Sequence, residues 1–163
     1  MIFGDIVLHI DNMITKKELA NFMQSSSNEF KPTLYSRVNV KEYCEKLMAK
    51  ASLFVARQRG KVIGVIAFYC NDRVQFQANL SYLFVARENR GVSIGTMLLR
   101  KALLYCKESG MKSMKVETWK DNKAIALYRK LGFKQVSVTK RHGVSRIIMV
   151  TQFEGIENCK RSL

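Results

Sequence analysis

The stretch from Arg87 to Thr96 has residue types that could bind an anion. Gly91, Ser93 and Gly95 have small side chains, which would let a phosphate reach the backbone. An apolar run before the stretch predicts a strand and an amphipathic run after it predicts a helix. Unpaired N–H groups, the positive end of the helix dipole and the charge of Arg90 would then face the anion. The same pattern fits an ordinary strand-to-helix turn, and it is not a P-loop because the Lys-Ser/Thr pair is missing.

The hydrophobic pattern predicts the elements that would position this stretch. In chain order they are two helices (Thr15–Gln24, with Thr15 as its cap, and Val40–Ala51), three strands (Ser52–Arg57, Val62–Cys70 and Ala78–Ala86), a helix (Ile94–Ser109), a strand (Met114–Thr118), a helix that ends at Leu131, and two strands (Lys134–Lys140 and Val144–Phe153). The turns Gln58-Arg59-Gly60-Lys61 and His142-Gly143 are typical of hairpins. This order predicts an α+β fold with one β-helix-β crossover, which would place Ala78–Ala86 parallel to Met114–Thr118.

The helix that finishes at Leu131 has signals at both of its ends. Asp121 or Asn122 can cap its start. Gly132 would end it as a left-handed residue, with Phe133 packing back against the last turn.

Length and composition predict one globular domain over residues 1–163. The chain of 163 residues is 47% hydrophobic and 25% charged, and a chain of this size buries roughly 68–70% of its extended surface on folding. No apolar run approaches the ~20 residues of a membrane-spanning helix, and residues 1–10 carry Asp5 in place of a basic leader, so we expect neither membrane insertion nor export. The four cysteines are Cys44, Cys70, Cys106 and Cys159. Because their spacing does not match a metal site, we expect reduced thiols in a cytoplasmic protein.

The charge balance favours anionic ligands. The chain has 28 Lys and Arg residues against 13 Asp and Glu residues, a formal net charge of +15. A field of that sign attracts anions and repels cations, so phosphorylated ligands are favoured over polyamines and basic tails. A basic surface that only keeps the protein soluble is the alternative.

Two segments resemble the signatures of one family. Arg90-Gly91-Val92-Ser93-Ile94-Gly95 is similar to the Arg/Gln-x-x-Gly-x-Gly/Ala pyrophosphate loop of the GNAT superfamily of acyl-CoA N-acyltransferases. Ala124-Ile125-Ala126-Leu127-Tyr128-Arg129-Lys130-Leu131-Gly132-Phe133 resembles its second signature, a helix that ends in Tyr-x-x-Leu-Gly-Phe. The element order matches that family from about Thr15 to Phe153. The resemblance implies a GNAT-like fold, with a mixed, mostly antiparallel sheet flanked by helices.

The resemblance also implies where acetyl-CoA would bind and how the chain would act on it. The coenzyme would lie in a cleft between the two parallel strands, which splay apart. A neutral amine would attack the thioester, the backbone N–H of Val85 would stabilise the oxyanion, and Tyr128 would protonate the departing thiolate. The residues implied to contact the coenzyme are Leu83, Phe84, Val85, Arg90, Gly91, Val92, Ser93, Ile94, Gly95, Thr96, Asn122 and Tyr128.

The chain departs from the family pattern at two of these positions. Ser93 stands where the first loop glycine is usual, and we expect its Cβ to be tolerated with a negative φ and its hydroxyl to donate to a phosphate. The family's Asn lies three residues before Ala124 of the second signature, a position that Asp121 holds here. Either Asp121 takes that place, or the loop is one residue shorter and Asn122 takes it.

The general base is a third departure. Many members carry a glutamate on the strand before the loop, where this chain has Asn79-Leu80-Ser81-Tyr82. An alkylammonium with a pKa near ~10 must lose its proton before attack, so a base or a water relay is needed. The candidates are Asp72, Glu117 and His142. Each also has a purely structural explanation: Asp72 as a turn residue, Glu117 as an ion-paired glutamate on a strand, and His142 as a solvated turn residue.

A weaker resemblance concerns the acceptor. Phe30-Lys31-Pro32-x-Leu34, Arg37-Val38 and Tyr69-x-Asn71-Asp72 are similar to a GNAT subgroup associated with surface-polysaccharide sugar biosynthesis. This resemblance implies that the substrate contacts are Arg37, Asn71 and Asp72. A salt bridge and a turn are the structural alternatives.

These observations predict a cytoplasmic N-acetyltransferase that needs acetyl-CoA and no metal. The acceptor would be the primary amine of a small molecule, for instance an anionic amino-sugar nucleotide, and a homodimer is left open. The alternatives are a protein N-acetyltransferase, a family member without catalysis, and a basic nucleic-acid-binding module. The nucleic-acid-binding module is suggested by two basic turns, which contain Arg57, Arg59, Lys61, Lys140, Arg141 and Arg146. Against it, the sequence has no recognised nucleic-acid-binding motif, and aromatic residues are not interleaved with these basic turns.

Overall fold

The computed structural model describes residues 2–3, 6–31, 33–34 and 38–153. Its described residues form two compact units, the first within Met1–Phe68 and Ser81–Ala102 and the second within Tyr69–Leu80 and Leu103–Leu163. Two strands and one helix run through the boundary and contribute residues to both units. No helix in the described part of the chain is long and apolar enough to cross a membrane.

The first unit contains the N-terminal elements and the strand and helix around the predicted anion loop. These are β1 (Ile2–Phe3), β2 (Ile6–Asp11), α1 (Lys16–Ser26), α2 (Val40–Lys50), β3 (Ser52–Gln58), β4 (Lys61–Tyr69), β5 (Gln77–Val85) and α3 (Ile94–Glu108). The sheet order is β1-β2-β3-β4-β5, and β1 to β4 are antiparallel neighbours. The hydrophobic pattern did not predict β1 and β2, because β1 has only two residues and β2 opens with the unbroken apolar run Ile6-Val7-Leu8 instead of an alternation.

The second unit contains the four C-terminal elements. These are β6 (Ser113–Trp119), α4 (Ile125–Lys130), β7 (Lys134–Arg141) and β8 (Val144–Gln152). Gln77–Leu80 of β5 pair in parallel with Ser113–Val116 of β6, which confirms the predicted crossover. β8 pairs antiparallel with both β6 and β7, so the order in this unit is β5-β6-β8-β7.

Local signals in the sequence explain several element boundaries. Thr15 caps α1 as expected: its hydroxyl accepts the N–H of Glu18 at 3.1 Å, and the Glu18 carboxylate accepts the N–H of Thr15 at 2.9 Å. The predicted hairpin turn before β4 has Arg59 at φ 51° and Gly60 at φ 76°. Two successive left-handed residues are what a tight hairpin with right-handed strand twist requires.

An aromatic core lies between α1 and β5 in the first unit. Phe22 meets Phe84 edge to face with 5.8 Å between ring centroids, and Phe30 stacks on Tyr82 at 5.5 Å. The buried Tyr82 hydroxyl hydrogen-bonds the hydroxyl of Ser26 at 2.8 Å. Each such side chain stabilises the fold by about 1.5–3 kcal/mol when buried, so this cluster anchors the strand that leads into the anion loop.

Candidate active-site residues

The predicted anion loop leaves β5 and enters α3 through two left-handed residues. A short 3-10 turn spans Arg87–Asn89, and Gly91 follows with φ 84°. The N–H of Met97 donates to the carbonyl of Ser93 at 3.0 Å and begins the helical ladder. The N–H groups before Met97 therefore have no acceptor within the helix. The loop residues Gly91, Val92 and Ser93 are exposed, so an anion can reach these amides.

Ser93 does not have the backbone conformation that we expected. Its φ is 65°, in the left-handed region, whereas the prediction required a negative φ. A residue with a Cβ in this conformation costs roughly 1–2 kcal/mol relative to the right-handed region. This cost explains why glycine suits the position. The Ser93 side chain is exposed, so the hydroxyl stays accessible from the loop.

Arg90 does not offer an unpaired charge to the loop. Its Nη1 lies 2.9 Å from Oε1 of Glu29, and its Nε donates to the carbonyl of Val85 at 2.9 Å. The guanidinium also lies over the ring of Phe84, 4.9 Å from the centroid. Arg87 approaches the same Glu29 oxygen at 3.5 Å. The Arg90 guanidinium thus joins the end of β5 to the turn that follows α1, and the Glu29 carboxylate neutralises the charge of Arg90.

Gly64 sets the distance between α3 and β4, and the sequence analysis did not identify it. A Cβ at Gly64 would lie 3.1 Å from Cδ1 of Leu98 and 3.3 Å from Cγ2 of Ile94. The first turn of α3 therefore packs directly on the backbone of β4. A glycine inside an apolar strand is a recognised sign of such close approach.

Tyr128 lies on α4 and is almost fully buried, with 4% of its surface exposed. Its ring packs against Phe133 with 5.6 Å between centroids. Burial raises the pKa of Tyr128 well above its usual value, so the hydroxyl keeps its proton at neutral pH.

The end of α4 has the predicted geometry. Gly132 adopts φ 93°, its N–H donates to the carbonyl of Arg129 at 3.1 Å, and the N–H of Phe133 donates to the carbonyl of Tyr128 at 3.0 Å. This pair of bonds is a Schellman motif, and it fixes the Tyr128 backbone.

Asn122 makes hydrogen bonds that hold the chain between β6 and α4. Its side-chain amide donates to the hydroxyl of Thr118 at 2.7 Å, and its side-chain oxygen accepts the N–H of Ala124 at 2.9 Å. The expected helix cap is wrong in detail, because Ala124 holds the cap position of α4 and makes no side-chain capping bond. Asp121 is exposed.

Glu117 on β6 is ion-paired with two arginines. Its Oε1 lies 3.2 Å from Nε of Arg141 and 3.2 Å from Nε of Arg146. The buried Arg146 also donates to the carbonyl of Glu117 at 3.2 Å. These contacts fit the structural alternative for Glu117, a paired strand glutamate, and weigh against its use as a base.

Asp72 closes a turn between β4 and β5. Its Oδ1 accepts the N–H groups of Val74 and Gln75, both at 2.9 Å. These bonds, that of Gln75 first, lower the pKa of Asp72, so the carboxylate is a weaker proton acceptor than usual. The neighbouring Asn71 is exposed, and Arg37 lies outside the described residues.

The remaining base candidate, His142, also has a structural role. His142 has φ 51° and forms the β7–β8 turn with Gly143 at φ 73°. At the position where the family glutamate is missing, the hydroxyl of Ser81 lies 2.6 Å from that of Tyr43. Ser81 is exposed on β5, so this pair of hydroxyls is accessible to solvent.

Comparison with known proteins identifies the family. Residues 18–133 match the acetyltransferase (GNAT) family. An uncharacterized N-acetyltransferase of Methanocaldococcus jannaschii is 29% identical over 138 residues, which are 78% of this chain and 61% of that protein. The N-acetyltransferase of Haemophilus influenzae that acts on an alanine of ribosomal protein bS18 is 30% identical over 78 residues, 48% of this chain and 53% of that protein. The chain thus spans between half and two thirds of the length of these two relatives.

A solved structure shows the same fold. The Salmonella typhimurium protein, determined with its cofactor acetyl-CoA, is 18% identical with a TM-score of 0.70, and the match covers 91% of this chain and 94% of that one. The family match covers more than half of the chain and includes both the Arg90–Gly95 loop and the Ala124–Phe133 segment. The chain therefore belongs to the GNAT family of acetyltransferases.

Proposed function

We propose that this protein is an acetyl-CoA-dependent N-acetyltransferase acting on a primary amine. The observation that carries the proposal is the family match across Arg90–Gly95 and Ala124–Phe133. The loop geometry supports it, because the left-handed Gly91 and Ser93 lead into a helix whose first N–H groups are exposed to anions. We further propose that residues 1–163 act as one domain, since the family match includes segments of both compact units.

The loop fits the pyrophosphate of the coenzyme. A Cβ at Gly91 would have no atom within 4 Å, so the backbone there is open to a ligand. The amides of residues 90 to 96 would bind the phosphate oxygens, and the strand end Leu83–Val85 would offer backbone groups to the pantetheine. Acetyl-CoA would supply the acetyl group as a thioester.

Two groups of the chain would stabilise charge during transfer. The N–H of Val85 would donate to the developing oxyanion, at a strand end where Arg90 holds the carbonyl of the same residue. Tyr128 would donate its proton to the thiolate, since its hydroxyl is protonated at neutral pH; the pKa raised by burial makes that hydroxyl a weaker acid than an exposed tyrosine.

For the general base we propose a water relay. Glu117 is committed to Arg141 and Arg146, and Asp72 accepts two backbone N–H groups. Both carboxylates therefore already have partners within the chain. A chain of water molecules that starts at an exposed polar group can accept the ammonium proton over a longer distance.

For the acceptor we propose a small amine on an anionic molecule, such as an amino-sugar nucleotide. The net charge of +15 supports an anionic acceptor, and the resemblance around Phe30–Leu34 and Tyr69–Asp72 supports the sugar class. Arg37, Asn71 and Asp72 stay the proposed acceptor contacts.

A protein amine is the second candidate acceptor. It is favoured by the similarity to the Haemophilus influenzae enzyme, whose acceptor is an alanine of a ribosomal protein. The nucleic-acid alternative is weakened, because four of its six basic residues form salt bridges: Arg57 with Glu18, Lys61 with Glu88, and both Arg141 and Arg146 with Glu117. The described cysteines Cys44, Cys70 and Cys106 are free thiols, which supports a cytoplasmic location.

Release of free coenzyme A thiol tests the activity and separates the acceptors. The full chain would be incubated with acetyl-CoA and, in separate reactions, with amino-sugar nucleotides, neutral amino sugars, peptides with a free N-terminal alanine, and spermine. We expect release with an amino-sugar nucleotide and none with spermine. Release with the alanine peptide alone would establish the second candidate, and no release with any amine would contradict catalysis.

A further inference from the structure

The second unit has a groove whose lining combines apolar and cationic side chains. Its volume is about 620 Å³, and its walls come from α4, the chain just before α4, and the strands β7 and β8. The apolar lining residues are Ile125, Ala126, Val138 and Ile147. The cationic ones are Lys120, Lys123 and Arg129.

The three cations of the groove are not neutralised by salt bridges within the described part of the chain. All three are exposed, and the one carboxylate among the lining residues is that of Asp121. By contrast, Arg141 and Arg146 of the neighbouring hairpin are both paired with Glu117. The groove therefore presents an excess of positive charge beside an apolar surface. This combination favours a ligand that carries both carboxylates and apolar groups.

The strand β7 forms one side of this groove and ends the sheet. Among the residues that the structure describes, it pairs with β8 alone and is last in the strand order, so its other edge presents backbone N–H and C=O groups. Val136 and Val138 on this strand are 60% and 63% exposed. The pairing register shifts between Gln135 and Ser137, which leaves Val136 as a bulge. An exposed edge with apolar side chains is suited to accept an added strand.

We propose that the β7 edge and this groove form a docking site for an extended, carboxylate-rich polypeptide segment of a partner protein. The segment would add a strand to β7, cover Val136 and Val138, and place its carboxylates near Lys120, Lys123 and Arg129. This site goes beyond acetyl transfer, and it would recruit a protein partner rather than bind the coenzyme or the amine.

A second copy of the chain does not fit this edge. Antiparallel pairing of two β7 strands about their centres would bring Lys134 of each copy close to Lys140 and Arg141 of the other. Like charges on directly opposed residues destabilise a strand pair. The carboxylates of an acidic segment would instead be attracted to the same three cationic side chains.

Binding of a defined peptide to the full chain tests the proposal. The probe is a fluorescein-labelled peptide of about 12 residues that alternates Glu with Val or Thr and has a blocked N-terminus, so that it cannot be acetylated. Fluorescence anisotropy at low salt should show saturable binding that weakens as salt rises. Lys120→Glu/Lys123→Glu should weaken binding at least tenfold. Lys41→Glu/Lys50→Glu on α2 has the same change in total charge and should change it less than twofold. Asn122, which also lines the groove, is left unchanged because the family resemblance assigns it to the coenzyme.

Four results would overturn the proposal. The first is no binding of the peptide at millimolar concentration. The second is equal weakening of peptide binding by both charge-reversal pairs, which would show that the peptide responds to the net charge of the protein and not to the groove. The third is competition by saturating acetyl-CoA, which would assign the groove to the coenzyme. The fourth is tighter binding of a single-stranded RNA of similar length that is lost in Lys120→Glu/Lys123→Glu, which would make the partner a nucleic acid. Protection of β7 amides from hydrogen exchange by the peptide would support the added strand.

Discussion

The carboxylate of Glu29 lies 2.9 Å from the guanidinium of Arg90, although the two residues are far apart in the sequence and belong to different turns. Glu29 ends the short turn after α1, whereas Arg90 begins the loop before α3. The same guanidinium holds the carbonyl of Val85 at the end of β5. The ion pair therefore fixes the strand end to which we assign the oxyanion contact, and it places a negative charge beside the proposed pyrophosphate loop.

Replacing Glu29 should strengthen coenzyme binding. Glu29→Gln removes a carboxylate near an anionic ligand and releases the charge of Arg90. Since a part-exposed ion pair contributes ~0.2–1 kcal/mol, the Kd for acetyl-CoA should fall by roughly one and a half to fivefold at low salt. Isothermal titration calorimetry measures this Kd for the wild-type and variant proteins. The control is Glu108→Gln at the end of α3, which should leave the Kd unchanged; weaker binding by a well-folded Glu29→Gln protein would contradict the proposed effect.

Tyr128→Phe tests the general acid. This change keeps the ring against Phe133 but removes the proton, so coenzyme affinity should be unchanged and the melting temperature should stay within a few degrees. The kcat for thiol release should fall, with the 10²–10⁴-fold contribution of general acids as the guide. Tyr105→Phe on α3 is the matched control and should keep full activity. A kcat for Tyr128→Phe within twofold of wild type would remove the residue from the mechanism.

Ser93→Gly should stabilise the fold. Glycine adopts the observed φ of 65° without the penalty of a Cβ, so the free energy of unfolding should rise by about 1 kcal/mol. For a chain of this size that corresponds to an increase in melting temperature of roughly 2–4 °C. Ser137→Gly on β7, which does not have a positive φ, should lower the melting temperature instead. Equal destabilisation by the two changes would show that the Ser93 backbone is not strained.

The ion pair of Glu18 with Arg57 should contribute to acid stability. The hydrogen bond from Arg57, followed by that from the N–H of Thr15, lowers the pKa of Glu18 from 4.5 to about 2. Because the folded-state pKa is lowered, the stabilisation is present above pH 4.5 and is lost as the pH falls from about 4.5 to about 2. Urea unfolding at several pH values should show Glu18→Gln less stable than wild type at pH 7, with the difference shrinking toward pH 2. A difference that does not depend on pH would mean that the carboxylate charge has no part in it.

The sequence predicted the elements with strong periodicity or strong caps. The crossover from Ala78–Ala86 through α3 to Met114–Thr118, the α1 cap at Thr15 and the α4 stop at Gly132 all depend on local patterns, and the structure confirms them. The short β1 and β2 were missed because their neighbours in the sheet, rather than their own periodicity, hold them in place.

The contacts between distant residues could not be predicted. The pairings of Glu29 with Arg90 and of Glu117 with Arg141 and Arg146 join residues whose proximity depends on tertiary structure. The left-handed backbone of Ser93 was also missed, because serine normally avoids that region; the glycine that the family usually has at this position is the signal that could have shown it. The roles proposed for Val85, Tyr128, Asn71, Asp72 and Arg37 stay predictions.

Binding of acetyl-CoA to the 163-residue chain is the measurement that tests the central claim most directly. At 100 times its Kd, acetyl-CoA should raise the free energy of unfolding by about 2.7 kcal/mol, with a corresponding increase in melting temperature. Gly95→Val, which places a branched side chain among the loop amides, should abolish that increase. Gln24→Val, at an exposed position of α1, should retain it. An unchanged melting temperature and no heat of binding for the wild-type chain with acetyl-CoA would contradict the assignment of the Arg90–Gly95 loop to the coenzyme.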